Sequence, residues 1–162
     1  MAVENKYVVS NFADGSLQDS HVYGGSKIVP HVVTFEVAAA DDNNSIYRLF
    51  RINSSDVILQ LEISNDAITG GTDYDVGLYD ITTSGAVVDK DVFADGLNLT
   101  SAADKTNVLT APDIAELNLP VWDLVSGVTE DPNKQYDVAI HANVAGTAAG
   151  TITVHALVAK IG

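Results

Sequence analysis

Residues 34–80, TFEVAAADDNNSIYRLFRINSSDVILQLEISNDAITGGTDYDVGLYD, decide the fold class of this 162-residue chain. Within and beside this stretch, short apolar runs rich in β-branched and aromatic side chains alternate with clusters of Asp, Asn, Ser and Gly. Alternation with period two is typical of half-buried strands, and the small polar residues are typical of turns. The pattern predicts four strands, over residues 32–37, 46–52, 57–63 and 74–79.

The C-terminal part of the chain has the same character. Residues 136–143 and 151–158 predict two further strands, and the loop between them contains Gly146 and Gly150, so we expect a hairpin here. Short strands separated by frequent turns indicate two packed layers. We therefore expect an all-β fold, an antiparallel β-sandwich of jelly-roll type.

A six-residue pattern occurs twice, as YDVGLY in residues 74–79 and as YDVAIH in residues 136–141. It indicates either two equivalent strands of a pseudo-symmetric sandwich or the recurrence of a composition that suits strands. The sequence leaves both interpretations open.

One short helix is predicted, over residues 113–117. Thr110 is a suitable N-cap, Pro112 lies near the first helical position, and Pro120 is expected to end the helix.

The composition excludes several classes of function. Hydrophobic residues make up 46% of the chain, which is enough for a core, and 22 acidic against 8 basic residues give a net charge of −14. Such a field repels phosphate backbones and anionic lipids, so we expect neither nucleic-acid nor membrane partners. The start MAVENKYVVS has no basic region followed by an apolar run, and no window is apolar enough for a transmembrane helix. The absence of cysteine excludes disulfides and thiolate chemistry.

Clustered acids raise the question of calcium. Asp41, Asn43 and Ser45 have the 1-3-5 spacing of a calcium loop, but Ile46 and Ile52 occupy the positions that need a glycine and a bidentate glutamate. Two other clusters either form an irregular oxygen cage or are solvated turn carboxylates. We expect the second, and hence no metal and no cofactor; the clusters are Asp66, Asp73 and Asp75, and Asp89, Asp91 and Asp95.

No catalytic motif is present. The chain has no G-x-S-x-G motif and no cysteine nucleophile. His141 and His155 lie in the two C-terminal strands and are possible cross-strand neighbours, but two imidazoles alone make a poor zinc site. His21 and His31 are expected at an exposed position or an interface. We therefore expect no enzymatic activity.

Two segments are candidate interfaces. Residues 1–26 are polar, carry the Gly24-Gly25 pair and have a single apolar patch at Tyr7, Val8 and Val9, so we expect an N-terminal arm followed by a sandwich domain of residues 27–162. Trp122, the only tryptophan, either anchors an interface or closes one end of the core.

Several motifs occur in a recognisable order: TFEVAAADD, SIYRLF and NDAITGGTDYDVGLYD, then VFADG, DIAEL, QYDVAI and GTITV. In this order and spacing the chain resembles, over roughly residues 32–160, the head decoration or cement proteins of tailed bacteriophages. The resemblance implies a non-enzymatic virion structural protein that is made in the host cytoplasm. It implies binding to the major capsid protein at the capsid surface, and self-association as a homo-dimer or homo-trimer.

Two other functions remain open at this point. Residues 72–80, TDYDVGLYD, faintly resemble a strand of bacterial pre-peptidase C-terminal domains, which would imply a secreted calcium- or carbohydrate-binding sandwich module. A phage fibre or tail protein is the other alternative.

Overall fold

Eight β-strands and one short α-helix are formed by the part of the chain that the computed structural model describes, residues 27–161. In chain order they are β1 (Lys27–Val37), β2 (Ser45–Asn53), β3 (Val57–Asn65), β4 (Asp73–Asp80), β5 (Val87–Leu97), β6 (Ala103–Asn107), α1 (Val121–Leu124), β7 (Gln135–Val144) and β8 (Gly150–Lys160).

The strands form two four-stranded sheets in which all neighbours are antiparallel. Sheet A has the order β1-β8-β3-β6, and sheet B has the order β2-β7-β4-β5. In each sheet one of the last two strands of the chain, β8 or β7, lies inside, between strands that come much earlier in the sequence. The all-β sandwich prediction is confirmed, whereas the jelly-roll connectivity and the domain boundary at residue 27 stay predictions.

One hydrophobic core lies between the two sheets. Alternate residues of β8 are buried while those between them are partly exposed, as a half-buried strand requires. The facing side chains of sheet B enter the same core. Its members on these inner strands include Ile152, Val154, Ala156 and Val158 of β8, Val76 and Leu78 of β4, and Val138 and Ile140 of β7.

The predicted C-terminal hairpin is wrong, although both of its strands exist. β7 and β8 belong to different sheets, so the loop that contains Gly146 crosses from one layer of the sandwich to the other. The backbone groups of β7 are shared with β2 and β4 and those of β8 with β1 and β3, which leaves none for a pairing of β7 with β8. The backbone N–H of Thr147 donates to the Thr69 carbonyl at 2.7 Å and fixes the crossing loop.

The position of the predicted helix is also wrong. Residues 113–117 form hydrogen-bonded turns, closed at one end by the Glu116 carboxylate, which accepts the Asp113 backbone N–H at 2.9 Å. The helix is α1 instead, and Pro120, which we expected to end a helix, is its N-cap. Proline suits the start of a helix as well as the position beyond its end. The Val121 N–H donates to the Asp56 carbonyl at 2.9 Å, and Val121 is buried in the core, so tertiary contacts decide where this single turn forms.

β5 and β6 were not predicted. β6, with the sequence ADKTN, is exposed at every position and therefore has no apolar periodicity. β5 carries three acidic residues, and its pairing with β4 shifts register three times. Its partner β4 carries Gly77, where an added Cβ would overlap the backbone of Asp89 and Lys90, so β5 lies directly over this glycine. Such irregular strands give little sequence signal.

The two copies of the six-residue pattern pair with each other. They form the middle of β4 and β7, with Asp75 opposite His141 and Tyr79 opposite Asp137. An antiparallel pair of similar segments has a local two-fold relation, so residues at the same place in the pattern occupy equivalent environments in sheet B.

Candidate functional site

The outer face of sheet B, which points away from the core, carries buried polar side chains. In β4 and β7 the core takes one set of alternate residues, and Asp75, Tyr79, Asp137 and His141 belong to the other set, yet all four are buried. The backbone of β5 covers part of this face at Gly77. A buried polar group is costly unless it is hydrogen-bonded, so the partners of these four residues determine what the face can do.

Asp75 is the centre of one network. Its side chain is 0% exposed and accepts hydrogen bonds from Lys90 Nζ at 2.7 Å, Asn143 Nδ2 at 2.6 Å and the Gly96 N–H at 3.1 Å. Asn143 Nδ2 also donates to Asp73 Oδ1 at 3.0 Å, and Lys90 Nζ donates to Asn143 Oδ1 at 2.7 Å. Burial by itself would raise the pKa of Asp75, but these hydrogen bonds outweigh it and hold the pKa below its ordinary value.

Asp137 takes the equivalent place in β7 and is satisfied by two arginines. Arg51 Nε lies 2.7 Å from Asp137 Oδ1, and Arg48 Nη1 lies 3.3 Å from Oδ2. Arg48 continues to the backbone carbonyls of Asp80 and Thr82, at 3.3 and 2.8 Å. These contacts hold the start of the β4–β5 loop against β2, which is a structural role.

Tyr79 and His141 form a buried pair with their ring nitrogen and hydroxyl 2.8 Å apart. Burial, followed by the charges of Asp75 and Asp91, raises the pKa of Tyr79 to about 12. Burial and the charge of Lys90 lower the pKa of His141. Both groups are therefore neutral near pH 7, and the hydrogen bonds that the structure gives them include no serine or threonine nucleophile.

An acidic hollow of about 290 Å³ lies beside β5. Burial and then Asp91 raise the pKa of Asp89. The charge of Asp75, followed by a small loss of hydration, raises the pKa of the exposed Asp95. Glu116 reaches the same hollow from the 113–118 turns. Within residues 27–161, no three histidine, aspartate or glutamate side chains are arranged to hold a metal ion, and this includes both aspartate clusters that the sequence singled out.

The remaining polar residues of the sequence analysis serve local structure. Asp41 accepts the Tyr47 hydroxyl at 2.8 Å and the Ala38 N–H at 2.9 Å, and Asn43 accepts the Ala145 N–H at 2.9 Å, as turn residues do. Asp66 accepts the Thr151 N–H at 3.2 Å. The two C-terminal histidines are not cross-strand neighbours, because His141 faces β4 in sheet B and His155 lies between β1 and β3 in sheet A. Their separation follows from the crossing of the Gly146 loop.

The end of the sandwich near α1 holds one candidate interface residue. Trp122 is half-buried, and its backbone N–H donates to the Ser54 carbonyl at 3.0 Å. Next to Ser54, the buried Asp56 carboxylate binds Lys160 Nζ at 2.6 Å, and Lys160 pairs with Lys27, where the described chain begins. The other candidates, Tyr7, Val8 and Val9, lie outside the described residues, as does His21. Lys27, the first described residue, lies at the same end of the sandwich as Trp122.

His31 lies at the open edge between the two sheets. Its ring stacks on Phe50 with 4.4 Å between centroids, which joins β1 to β2. Burial, then the charge of Lys160, lowers the pKa of His31, and its Nε2 is buried without a hydrogen-bond partner.

The outer face of sheet A is different in chemistry from that of sheet B. Val32 is 64% exposed, and Ile28 lies on the same side of β1. Two hollows, of about 230 and 540 Å³, share Gln60 and Glu62 of β3 and so form one depression. Ile114, the apex of the 113–118 turns, borders it and is 90% exposed. We call this region the sheet A surface; it consists of Ile28, Pro30, Val32, Leu59, Gln60, Glu62, Lys105, Ile114, Leu117, His155 and Leu157.

No helix within residues 27–161 is long and apolar enough to cross a membrane.

Comparison with known proteins gives a match in fold but none in sequence family. No family model and no curated protein matches the chain. Among solved structures, a chain in the capsid of Ralstonia phage GP4 matches with a TM-score of 0.56 and 13% sequence identity, over 94% of this chain and 96% of that chain. The two chains therefore share a fold over nearly their whole lengths.

Two further chains match with lower TM-scores. One belongs to the acidic stable capsid structure of Helicobacter pylori bacteriophage KHP30, with a TM-score of 0.38, 16% identity and coverage of 83% of this chain and 92% of that chain. The other belongs to the capsid asymmetric unit of cyanophage Pam1, with a TM-score of 0.37, 18% identity and coverage of 84% and 85%. These scores are too low to indicate a shared fold.

Sequence reasoning missed the residues that dominate the buried face. Lys90, Asn143 and Arg48 were not singled out, since their partners are 15, 68 and 89 residues away. The repeated Tyr-Asp pair was the available signal, because an aspartate between apolar strand residues must be paired when it is buried.

Proposed function

We propose that this chain is a capsid decoration, or cement, protein: a non-enzymatic virion component that binds the outer surface of a phage head and stabilises it. The observation that carries the proposal is the fold that the chain shares, over nearly the whole of both chains, with a component of a phage capsid. The ordered motifs of residues 32–160 support the same class independently, because they come from sequence rather than from fold.

The sheet A surface is the side by which the protein docks on the capsid. Its exposed apolar side chains, Val32 and Ile114 above all, flank a depression, and exposed apolar side chains grouped in this way mark interaction sites. The opposite side carries the acidic residues of β5 and the ion pairs of Asp75 and Asp137. Strongly charged side chains are costly to bury, so this side faces outward and keeps the particle soluble.

The mechanism is multivalent clamping. Each copy binds neighbouring major capsid protein subunits, and copies associate with one another as a homo-dimer or homo-trimer. Since the copies are linked, their individually modest contacts add up to an avidity that resists outward pressure. Residues 1–26, with Tyr7, Val8 and Val9, contribute to these contacts, and so does the half-buried Trp122 at the end of the sandwich where β1 begins. Nucleic acid and membranes are not partners, because the chain has a net charge of −14.

Co-sedimentation tests the proposal. Purified protein is mixed with phage heads that lack it, at rising ionic strength. We expect it to sediment with the heads and to stay bound at moderate salt, because an apolar contact is screened less than an electrostatic one. Folded protein that sediments with heads at no salt concentration would contradict a decoration role and favour a fibre or tail position.

Two matched variants locate the docking side. Val32→Asp places a charge on the sheet A surface, and Val87→Asp places one on β5 in sheet B, at a valine of similar exposure, 54%. We expect Val32→Asp to weaken binding at least tenfold and Val87→Asp to leave it nearly unchanged. If the effects were equal or reversed while the wild-type protein bound, the docking side would be wrong and the decoration role would stand.

A further inference from the structure

Lys90, Asn143 and Asp75 lie on three adjacent strands of sheet B. β5 carries the lysine, β7 carries the asparagine, and β4 lies between them with the aspartate. Each of the three side chains contacts both of the others: Lys90 Nζ to Asn143 Oδ1 at 2.7 Å, Lys90 Nζ to Asp75 Oδ2 at 2.7 Å, and Asn143 Nδ2 to Asp75 Oδ2 at 2.6 Å. The same carboxylate oxygen therefore touches the amine nitrogen and the amide nitrogen.

The orientation of the Asn143 amide is fixed by its partners. Its nitrogen faces two carboxylates, Asp73 and Asp75, and its oxygen faces the Lys90 amine, so the reverse orientation would leave every one of these contacts unfavourable. The amide carbon is thus presented beside the lysine. A carbonyl carbon lies about 1.2 Å from its oxygen. Since Lys90 Nζ is hydrogen-bonded to Asn143 Oδ1, it lies about 3–4 Å from Asn143 Cγ, which is close to a reactive distance.

We propose that Lys90 and Asn143 form an intramolecular isopeptide bond, with Asp75 as the catalytic residue, and that this bond ties β5 to β7 across β4. In the resting state the lysine and the aspartate are an ion pair. Asp75 Oδ2 first takes a proton from the Lys90 ammonium, which leaves a neutral amine able to act as a nucleophile.

The bond changes balance without any further reagent. Lys90 Nζ forms a bond to Asn143 Cγ, and the Cγ–Nδ2 bond breaks. Asp75 returns its proton to Nδ2, and the amide nitrogen leaves as ammonia. The attacking nitrogen passes its remaining extra proton to the freed Asp75 carboxylate, which hands it to the ammonia, so that ammonium departs and the carboxylate is restored. An amine and a primary amide become a secondary amide and ammonia, with no oxidation or reduction. The Lys90 side chain is 39% exposed, so the ammonia has a path to solvent.

The geometry of β5 gives the bond a role. The pairing of β5 with β4 shifts register three times, so regular ladder hydrogen bonds hold this edge strand less well than the inner strands. A covalent link from Lys90 to β7 would fasten the edge of the sheet directly to its centre. The bond forms whether or not the protein binds a capsid, because all three residues belong to one folded chain.

Intact mass spectrometry of the purified, folded chain after prolonged incubation is the test. We expect a mass lower than the encoded one by about 17 Da, one ammonia. After tryptic digestion, cleavage at Lys90 should be lost. Residues 52–105 should appear joined to residues 135–160, since trypsin cuts after the lysine or arginine at each boundary of these fragments. Folded protein that keeps its full encoded mass and is cleaved after Lys90 would overturn the proposal.

Two lysine-to-arginine variants complete the test. Lys90→Arg keeps the positive charge but removes the amine, so it should retain the full encoded mass. Lys105→Arg, on the exposed strand β6, is the matched control and should lose ammonia as the wild-type chain does. Succinimide formation at an asparagine also releases ammonia, and a loss that persisted in Lys90→Arg would assign the mass change to that reaction and overturn the isopeptide bond.

Discussion

The hydroxyl of Tyr79 lies 2.8 Å from Nδ1 of His141, and these are the last residues of the two copies of one six-residue pattern. The aspartates at the second place of each copy, Asp75 and Asp137, are both buried and both ion-paired. The repetition in sequence is thus a repetition of environment: each copy supplies one core-facing apolar row and one polar row that is buried under β5 and the arginines of β2.

The Tyr79–His141 pair makes stability depend on pH. The pKa of His141 is lowered from 6.5 in the folded protein, chiefly by burial, so the unfolded chain binds more protons than the folded one as pH falls below about 6.5. We expect the free energy of unfolding to decrease from pH 7.5 to pH 5.5 and His141→Gln to make this decrease smaller. Urea unfolding at both pH values measures it. An unchanged slope in the variant would show that His31, whose pKa is also lowered, or other groups carry the effect.

Gly77 is expected to be the glycine least tolerant of a side chain. In Gly77→Ala the new Cβ would overlap the backbone of Asp89 and Lys90 and push β5 away, which costs toward the upper end of about 1–3 kcal/mol. Gly127→Ala is the control: its φ of +81° makes alanine unfavourable by about 1–2 kcal/mol, but nothing lies within 4 Å of the added atom. Thermal unfolding compares the two. A smaller loss for Gly77→Ala would mean that β5 does not lie over β4 as described.

Asp89→Asn is expected to stabilise the protein at pH 7. The pKa of Asp89 is raised by burial and by Asp91, so the stability linked to this carboxyl is greatest below its ordinary pKa of 3.8 and is lost as pH rises. Removal of the charge should increase the free energy of unfolding by up to about 1 kcal/mol, or about 2–4 °C in Tm for a domain of this size. Calorimetry at pH 7 and pH 4 checks this, and the gain should shrink at pH 4. A lower Tm at pH 7 would contradict it.

Removal of residues 1–26 should leave the sandwich folded. Residues 27–161 supply all eight described strands and a shared core. A chain of residues 27–162 should keep a cooperative thermal transition and strand-type circular dichroism, while binding to heads decreases. Loss of the transition would mean that the arm is part of the sandwich.

Chelation should change the stability little. Neither aspartate cluster brings three ligands together, and the oxygens of Asp75 already accept Lys90, Asn143 and Gly96. Thermal unfolding with EDTA, and then with added calcium, tests this. A fall in Tm of many degrees that calcium reversed would restore the cage of Asp66, Asp73 and Asp75.

The strands that could be predicted are those in which one face is buried and the other is not. β3 and β8 alternate because Leu61 and Val154 enter the core while their neighbours do not, and this periodicity is written in the sequence. β6 has no buried residue and left no such signal. The pairing of β7 and β8 with distant strands depends on which sheet each one enters, and local sequence does not specify that.

The polar residues illustrate the same limit. The turn aspartates, such as Asp41, could be predicted because their partners lie within a few residues. The contacts of Lys90 with Asn143 join positions 53 residues apart and exist only because β4 brings β5 and β7 to its two sides. A charged residue in an irregular edge strand resembles any solvated surface residue until its neighbours are known.

The placement of the last two strands inside both sheets has a consequence for synthesis. While residues 135–160 are still within the ribosome, β8 is missing between β1 and β3, and β7 is missing between β2 and β4. Neither sheet can then form its full hydrogen-bonded ladder. Neither sheet can therefore be completed before residues 135–160 have left the ribosome, and a product that terminates before them cannot form the sandwich. The topology acts as a proofreading step, because only copies that contain β7 and β8 can assemble the two sheets.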